Sequence, residues 1–354
     1  MATLLAITTA LPFLPSSQGI ARVFDFPRIQ STWLASITAL AGLLALPWTT
    51  SVMSFAGVCG AVVLVQLFHI ARFTPLWRRR SHDFKGDLDQ AALVRLVCAN
   101  VKLSNRDTQP LIDLLERENP DIAVFIEVDQ QWVDALDKAT SGYRFRLSYP
   151  QDNGYGLMLV SRIPVREHEI RFLLNEEVPS FDLSLDHPDG GTFRLIAVHP
   201  EPPVATHDTI GRDAEMGRVS EIVRHDDEPV IVCGDLNDVA WSRTTRRFLR
   251  VSRLLDPREG RGQFNSFDAR YPFLRWPLDH IFHSPHFALV DMRRGPFIGS
   301  DHFPMIFNLA LTDREAGRRE TDSADAEDLA ETRELIEAEG KRDRRPVGVD
   351  WENE

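Results

Sequence analysis

Two long apolar runs lie near the start of the chain, at residues 31–48 and 52–71. Each is about long enough to cross the ~30 Å apolar core of a bilayer as a helix. A shorter apolar run at residues 3–14 is interrupted by Pro12, so it is either a third span or a segment at the membrane surface. The pattern predicts a membrane-anchor region of two or three transmembrane helices within residues 1–80. The alternative is a buried helical hairpin in a soluble protein.

From residue 93 onward, short apolar runs alternate with amphipathic segments. Apolar runs bounded by turn residues predict strands, and apolar residues that recur every three or four positions predict helices. Strands are predicted at 93–100, 122–126, 156–160, 193–198, 230–233 and 304–310, with others ending near Asp279 and just before Ser300. Helices are predicted at 108–118, at 208–224 and between Asp238 and Phe248. Because helices and strands alternate only in part, we expect an α/β domain with mixed sheets and helices outside them.

Composition divides the remainder of the chain into three parts. Residues 81–92 form a polar linker, and residues 93–312 form the α/β domain. Residues 313–354 carry fifteen acidic and eight basic residues and few large aliphatic ones. This composition is typical of a solvated tail that is largely disordered, with a partial helix at 324–339.

Charge is distributed unevenly along the chain. The formal net charge is −12, and residues 81–312 carry −10. An acidic domain is a poor match to a protein that grips duplex nucleic acid through its phosphates. Arginines flank the apolar runs instead, with Arg22 and Arg28 before the first long run and Arg78–Arg80 after the second. Since positive flanks stay inside, the α/β domain is predicted to face the cytoplasm.

Polar or acidic side chains follow or adjoin the apolar runs of the α/β domain. The set consists of Asn100, Glu127, His199, Asp235, Asn237, Asp279, Asp301 and His302. Each member has a structural explanation by itself, because Asn and Asp favour turns and Glu can cap a helix. Loops held by a rigid scaffold often carry chemistry, however. The repetition of the pattern therefore favours one shared site.

The oxygen-bearing members of this set fit metal-assisted hydrolysis of a phosphate ester. Mg²⁺ prefers oxygen ligands and keeps several waters, and Glu127, Asn100 and Asp301 supply such oxygens. Asp235 and Asn237 lie two residues apart and can hold the attacking water. The residue types therefore predict one site in which some residues bind a metal and others hold the attacking water.

The histidines fit the anionic oxygens of the same reaction. His199 and His302 can donate hydrogen bonds to the phosphate when they are protonated, and an acid such as Asp279 would orient and charge one of them. A structural loop histidine is the alternative for His199, which precedes Pro200.

Taken together, these stretches resemble the endonuclease/exonuclease/phosphatase superfamily. The matching motifs are Asn100, Glu127 within Phe-Ile-Glu-Val, His199, Gly-Asp-Leu-Asn at 234–237, Leu-Asp-His-Ile-Phe at 278–282 and Ser-Asp-His at 300–302. They follow the family order and cover about residues 93–311. The resemblance implies a four-layer α-β-β-α sandwich of two mixed sheets, with the site at one edge.

The resemblance also implies a role for each residue. Magnesium, or manganese in its place, would be held by Glu127 and Asn100 with Asp301 at or near it. Asp235 and Asn237 would act on the water, Asp279 would be oriented toward His302, and His199 would contact the phosphate. One departure concerns substrate, because the chain has His-Pro-Glu-Pro-Pro at 199–203 where abasic-site endonucleases have a tyrosine region.

These expectations converge on a metal-dependent phosphoesterase that is anchored in a bilayer. Similarity to a bacterial subgroup with N-terminal spans implies a multi-pass protein of the bacterial inner membrane. The substrate is predicted to be a phosphodiester or phosphomonoester, with lipid-linked or small phosphoesters favoured over nucleic acid. A nuclease acting on DNA or RNA is one alternative, and a non-catalytic membrane protein with a partner-binding domain is the other.

Overall fold

The computed structural model describes residues 1–14, 16–312 and 321–349. The helices are α1 Ala2–Ala10, α2 Gly19–Arg22, α3 Arg28–Ala45, α4 Thr50–Ile70, α5 Gln109–Glu118, α6 Gln130–Asp137, α7 Ile210–Arg224, α8 Arg243–Ser252 and α9 Ala326–Glu339. The strands are β1 Ala92–Asn100, β2 Ile122–Ile126, β3 Phe145–Tyr149, β4 Leu157–Ser161, β5 Val165–Phe172, β6 Pro179–His187, β7 Gly191–Val198, β8 Val230–Asp235, β9 Asp279–His283, β10 Phe287–Arg294 and β11 Met305–Leu311.

These strands form two mixed sheets, as the sequence predicts. The first sheet has the order β10-β11-β1-β2-β4-β3, and the second has the order β5-β6-β7-β8-β9. In each sheet one pair of neighbours is parallel, β1 with β2 and β7 with β8, and the other neighbours are antiparallel.

The sheets pack face to face because their strands are apolar on both sides. In β1, Leu96 and Cys98 point into the core between the sheets, and Val97 and Ala99 point to the opposite face. Full burial of one aliphatic side chain contributes roughly 1.5–3 kcal/mol. Continuous apolar runs such as β1 therefore form central strands that are covered on both faces.

Helices cover the outer faces and complete four layers. Leu111 of α5 and Trp132 of α6 are buried against the first sheet. Val219 of α7 and Phe248 of α8 are buried against the second sheet. The layered arrangement expected from the resemblance is therefore present in the described residues.

Two predicted strand positions are wrong. Asp279 begins β9 rather than ending a strand, because β9 runs antiparallel to β8 and Asp279 pairs with Asp235. The segment before Ser300 forms no strand, since β10 ends at Arg294. Pro296 lacks a backbone donor, and Gly299 has a φ of 87°, so neither residue suits a continuing ladder.

The anchor region, residues 1–80, contains fewer candidate spans than the sequence predicts. Within the described chain, one helix is long and apolar enough to cross a membrane, at Thr50–Phe73, and a shorter apolar helix covers Ala2–Phe13. The other predicted long span, at residues 31–48, is not confirmed as one. Its helix α3 begins at the buried Arg28, which donates to Gln66 of α4 at 3.0 Å, and so polar contacts occupy the end nearest the α/β domain.

The anchor region packs directly onto the α/β domain. Phe73 is buried with Trp241 and Leu278, and the Trp241 indole donates to the backbone oxygen of Asp25 at 2.7 Å. Phe26 packs edge-on against Trp276 with ring centroids 6.0 Å apart. The residues before α3 are thus held beside the edge where the strands end.

The described part of the predicted tail, residues 321–349, packs against the α/β domain. The helix expected at 324–339 is α9, and its acids pair with arginines of α8, as in Arg250 to Asp328 at 2.6 Å. After α9, Arg344 pairs with Glu201 at 2.8 Å. Composition alone does not predict these ion pairs, because the paired residues lie far apart in the sequence. Residues 313–320 and 350–354 of the predicted tail lie outside the described residues.

Candidate active site

The predicted site residues gather where strands of the two sheets end side by side. Asn100 is the last residue of β1 and pairs with Ile126, the residue before Glu127. Asp235 is the last residue of β8 and pairs with Asp279. Together they border a cleft of about 420 Å³ that is lined in part by Glu127, His199, Asp235, Asn237, Asp301 and His302.

Asn100 connects the two sheets across this cleft. Its side-chain nitrogen donates to Glu127 Oε1 at 2.7 Å and to Asp235 Oδ2 at 3.1 Å. Its side-chain oxygen accepts from the backbone N–H of Lys102 at 2.9 Å. Because Asn100 is buried, these bonds fix the distance between the two carboxylates.

Glu127 is a partly buried acid that no basic side chain of the described residues contacts. It adopts a left-handed conformation with φ 63°, and its Oε2 accepts from the backbone N–H of Leu103 at 3.1 Å. Burial raises the pKa of Glu127 to about 7, although the Asn100 bond opposes the rise. Such a carboxylate has spare oxygen lone pairs and lacks a compensating charge, which fits a hard divalent cation.

His302 lies between two acids on the other side of the cleft. Its Nδ1 is 2.7 Å from Asp279 Oδ2, and its Nε2 is 3.4 Å from Asp235 Oδ2. Burial disfavours the charged imidazole, but Asp279 and then Asp235 outweigh it and raise the pKa of His302 to about 10. His302 is therefore a buried cation at neutral pH, and Asp279 fixes its orientation.

Asp235 and Asn237 form the tight turn that follows β8. The backbone N–H of Asn237 donates to Asp235 Oδ1 at 2.9 Å, and the Asn237 side-chain nitrogen donates to the oxygen of Pro200 at 3.0 Å. Burial raises the pKa of Asp235, and His302 opposes that rise. The bond from Asn237 is the Asx turn that the residue types permit, and it orients a carboxylate that also lines the cleft.

His199 lies in the cleft as a neutral residue. Burial lowers the pKa of His199 to about 4, and the ring lies 5.4 Å from the ring of Tyr155. Its buried Nδ1 has no hydrogen-bond partner among the residues that the structure describes. A contact to phosphate therefore requires the neutral tautomer that donates, rather than the protonated form.

A comparison with known protein families identifies the family of the chain. The model of the Endonuclease/Exonuclease/phosphatase family matches residues 97–302. The chain belongs to the endonuclease/exonuclease/phosphatase family. Members of this family include metal-dependent phosphoesterases and nucleases. No curated protein sequence matches the chain.

Solved structures of the family share the fold at low sequence identity. One from Beutenbergia cavernae is 18% identical over 62% of this chain and 72% of its own, with a TM-score of 0.50. TDP2 of D. rerio, complexed with a single strand DNA product, is 17% identical over 61% of this chain and 98% of its own, with a TM-score of 0.52. The human Nocturnin catalytic domain is 15% identical over 63% and 96%, with a TM-score of 0.50.

Asp301 lines the cleft and pairs with basic side chains there. Its carboxylate lies 2.9 Å from Lys102 Nζ and 3.6 Å from an Arg270 nitrogen. Its part in holding a family metal therefore stays a prediction. Three other ligand atoms, from Asp235, Asp279 and His302, lie within 4.8 Å of one another. We do not place the metal there, because charged His302 already bridges those carboxylates.

Several residues of the cleft carry no signal in the local sequence pattern. Phe26 comes from the anchor region, Lys102 from the loop after β1, and Val347 and Gly348 from beyond α9. The Tyr155 hydroxyl donates to the backbone oxygen of Val347, which fixes the last segment at the rim. Lys102 lies two residues after Asn100 and was the one member that proximity to a motif could have indicated.

Proposed function

We propose that the chain is a membrane-anchored, Mg²⁺-dependent phosphoesterase. The observation that carries the proposal is the presence of unlike groups in one cleft. Glu127 is a partly buried acid without a basic partner among the described residues, and Asn100 connects it to Asp235 beside the charged His302. A carboxylate without a basic partner and a charged hydrogen-bond donor, held in one cleft, suit a metal-bound phosphate ester.

The roles follow from these contacts. Glu127 would hold the metal with Asn100 and Asp301 near it, and Mn²⁺ could replace Mg²⁺ because both prefer oxygen ligands. The bound metal would supply charge to a phosphoryl oxygen. Asp235 and Asn237 would align the attacking water.

The histidines would meet the phosphate from the other side of the cleft. His302, oriented by Asp279, would donate a charged hydrogen bond to a phosphoryl oxygen. His199 would donate as a neutral imidazole. A charged donor in a buried site stabilises the negative charge that develops during water attack.

We favour a lipid-linked or small phosphoester as substrate. Phe26 of the anchor region lines the cleft, and large apolar side chains of α3 and α4, such as Trp33, Leu40 and Phe68, are exposed. Together with the acidic charge of residues 81–312, this supports a substrate presented at a bilayer. Nucleic acid is the second candidate, because the D. rerio TDP2 structure holds a single strand DNA product.

The predicted orientation adds a topological test. Arginines flank one end of the α3–α4 hairpin, so the cleft should face the cytoplasm of a bacterial inner membrane. A reporter that is active only in the cytoplasm should work when fused after Glu354, downstream of the whole fold. An alkaline phosphatase that is active at the same position would overturn the orientation.

Activity should be tested on the full chain in detergent, because Phe73 and Phe26 pack onto the α/β domain and a fragment beginning at residue 81 would lose them. The substrates are a chromogenic phosphodiester, phospholipid and single-stranded DNA, each with Mg²⁺, Mn²⁺ or chelator. We expect metal-dependent turnover that the Asp235→Asn variant lacks. Equal turnover in the variant would indicate a contaminant, and no turnover of any substrate would contradict the proposal.

A further inference from the structure

A second and larger concavity lies between the anchor region and the α/β domain. It has a volume of about 1270 Å³ and is bordered by α3, by residues 262–265 and 272–275, and by the end of β10. We call it the anchor groove. The ring of Phe267 lines the catalytic cleft and stacks on Trp276 with centroids 6.2 Å apart.

One wall of the anchor groove is apolar and exposed. Trp33, Leu34 and Ile37 lie on one side of α3, with Trp33 66% and Ile37 61% exposed. Phe273 stands opposite and is 84% exposed. This wall begins on a helix of the anchor region, where the expected neighbour is the hydrocarbon of a bilayer rather than water.

The other wall carries two arginines that face one aromatic ring. The guanidinium carbons of Arg275 and Arg294 lie 4.9 Å and 5.1 Å from the centroid of the Phe303 ring. Neither arginine has a carboxylate partner among the residues that the structure describes, whereas the adjacent Arg293 pairs with Glu118 and Asp291.

The polar groups of this wall are also incompletely satisfied. Partial burial lowers the pKa of Arg294, and the neighbouring Arg275 lowers it further, so the two like charges lie close enough to repel. The buried Nε of Arg275 and Oδ1 of Asn265 have no hydrogen-bond partner in the described part of the chain. Two unpaired cations held together are stabilised by an anion between them.

We propose that the anchor groove binds one anionic phospholipid. The phosphate would lie on Arg275 and Arg294, and an acyl chain would lie along Trp33, Leu34 and Ile37. A phosphate with an apolar chain matches both walls at once, while an acidic peptide or a nucleic acid would leave the apolar wall uncovered. The inference does not rest on catalysis in the cleft, and it shares with the proposed function only the membrane anchor.

The binding test uses the full chain in a neutral detergent and native mass spectrometry to measure dissociation constants. The probes are dioleoyl phosphatidylglycerol, dioleoyl phosphatidylcholine and inorganic phosphate. We expect one phosphatidylglycerol to bind at least about tenfold more tightly than phosphatidylcholine, because the choline ammonium of phosphatidylcholine would bring a positive charge close to Arg275 and Arg294. Phosphate that binds as tightly as phosphatidylglycerol would overturn the lipid assignment.

Variants locate the site. Arg275→Gln/Arg294→Gln should weaken phosphatidylglycerol binding about tenfold or more. The matched control Arg144→Gln/Arg166→Gln removes the same charge from two exposed arginines, one preceding β3 at the opposite edge of the first sheet, and should bind as the wild type does. If both double variants bind as the wild type, or both lose binding equally, the anchor groove is not the site.

A further pair of variants keeps the test informative if the double variant does not fold. Arg294→Glu reverses one charge at an exposed position and should abolish the preference for phosphatidylglycerol. Ile37→Ser shortens the apolar wall and should weaken both phospholipids. An unchanged preference in Arg294→Glu would contradict the proposal. The Asp235→Asn variant should bind lipid normally, so that loss of hydrolysis and loss of binding are distinguished.

Discussion

The catalytic cleft and helix α7 both bury several charges, yet they neutralise them in different ways. On α7, Arg212 lies 2.8 Å from Asp213 and 3.4 Å from Asp238. Burial opposes the charge of Asp213, but Arg212 and other arginines outweigh it and hold its pKa below the usual range. The buried charges of α7 are therefore matched within the protein.

In the cleft the match is incomplete. His302 pairs with both Asp235 and Asp279, and Glu127 has hydrogen bonds but no basic partner in the part of the chain that the structure describes. A buried charge without a partner is costly, so such a residue either stays neutral or takes a partner from outside. On α7 an arginine pairs with Asp213, whereas no arginine of the described residues pairs with Asp235, Asp279 or Glu127 in the cleft, as the proposed metal and substrate sites require.

The largest expected effect is the difference between substitutions at two buried aspartates, one at the end of β8 and one three residues later. Asp235 lines the cleft, while Asp238 accepts hydrogen bonds from Ser242 and from Thr245 at the start of α8. Asp235→Asn should lower turnover by ~10²–10⁴-fold, the usual size of general-base help, with little change in melting temperature. Asp238→Asn should instead lower the melting temperature. Single-turnover rates and melting curves on the same samples separate the two. An Asp235→Asn enzyme that is destabilised yet catalytically normal would erase the distinction.

The next effect tests the internal pairing on α7. Arg212→Met should destabilise the protein by about 3–5 kcal/mol, because it leaves the buried carboxylates of Asp213 and Asp238 without their ion-pair partner. Arg218→Met is the matched control on the same helix. Arg218 is half exposed and pairs with Glu221 at 3.4 Å, and such surface pairs contribute about 0–1 kcal/mol. Denaturant unfolding of both variants measures the contrast, and equal losses would show that burial does not decide the cost.

The smallest stability effect concerns the one buried acid of α7 for which the structure describes no basic partner, Glu215. Burial and then Glu201 raise the pKa of Glu215 to about 8, although Ser180 donates to it. Because an unfolded glutamate titrates near 4.5, folding favours the protonated form. The stability from Glu215 is thus full below about pH 4.5 and is lost as pH rises toward 8.

Glu215→Gln should therefore match the wild type near pH 5 and melt a few degrees higher near pH 8, as expected for about 1–2 kcal/mol in a domain of this size. Glu221→Gln on the same helix is the control and should show no such gain with pH. A gain for Glu215→Gln that is the same at both pH values would mean that charge is not its cause.

The residues that close the strands at the cleft are easier to predict from the sequence than the distant segments that pack around the cleft. Strand-end residues such as Asn100, Glu127 and Asp235 are predictable because a strand holds its last residue at the sheet edge wherever its neighbours lie. The same rule fails for Asp279, which enters the edge from an antiparallel strand. The rule also does not tell which of two neighbouring residues, Asp279 or His280, faces the cleft. The side chain of His280 points to the opposite face of the sheet and hydrogen-bonds the backbone oxygen of Asp238.

Contacts made by distant segments are the part that periodicity cannot predict. Phe26 and Val347 reach the cleft from the two ends of the chain. Lys102 pairs with Asp301, which gives a predicted metal ligand a basic partner within the chain. These pairings depend on tertiary packing rather than on local pattern, and the arginine partners of α9 were missed for the same reason.

The most direct measurement of the central claim is metal binding by the full chain, followed by Mn²⁺ electron paramagnetic resonance. The wild type should bind Mn²⁺ and lose it to excess Mg²⁺, and Glu127→Gln should bind at least about tenfold more weakly, since loss of a charged ligand exceeds 1.4 kcal/mol. The control Glu116→Gln, at an exposed site on α5, should bind as the wild type does. Undiminished Mn²⁺ binding in Glu127→Gln would contradict the assignment of Glu127 as a metal ligand.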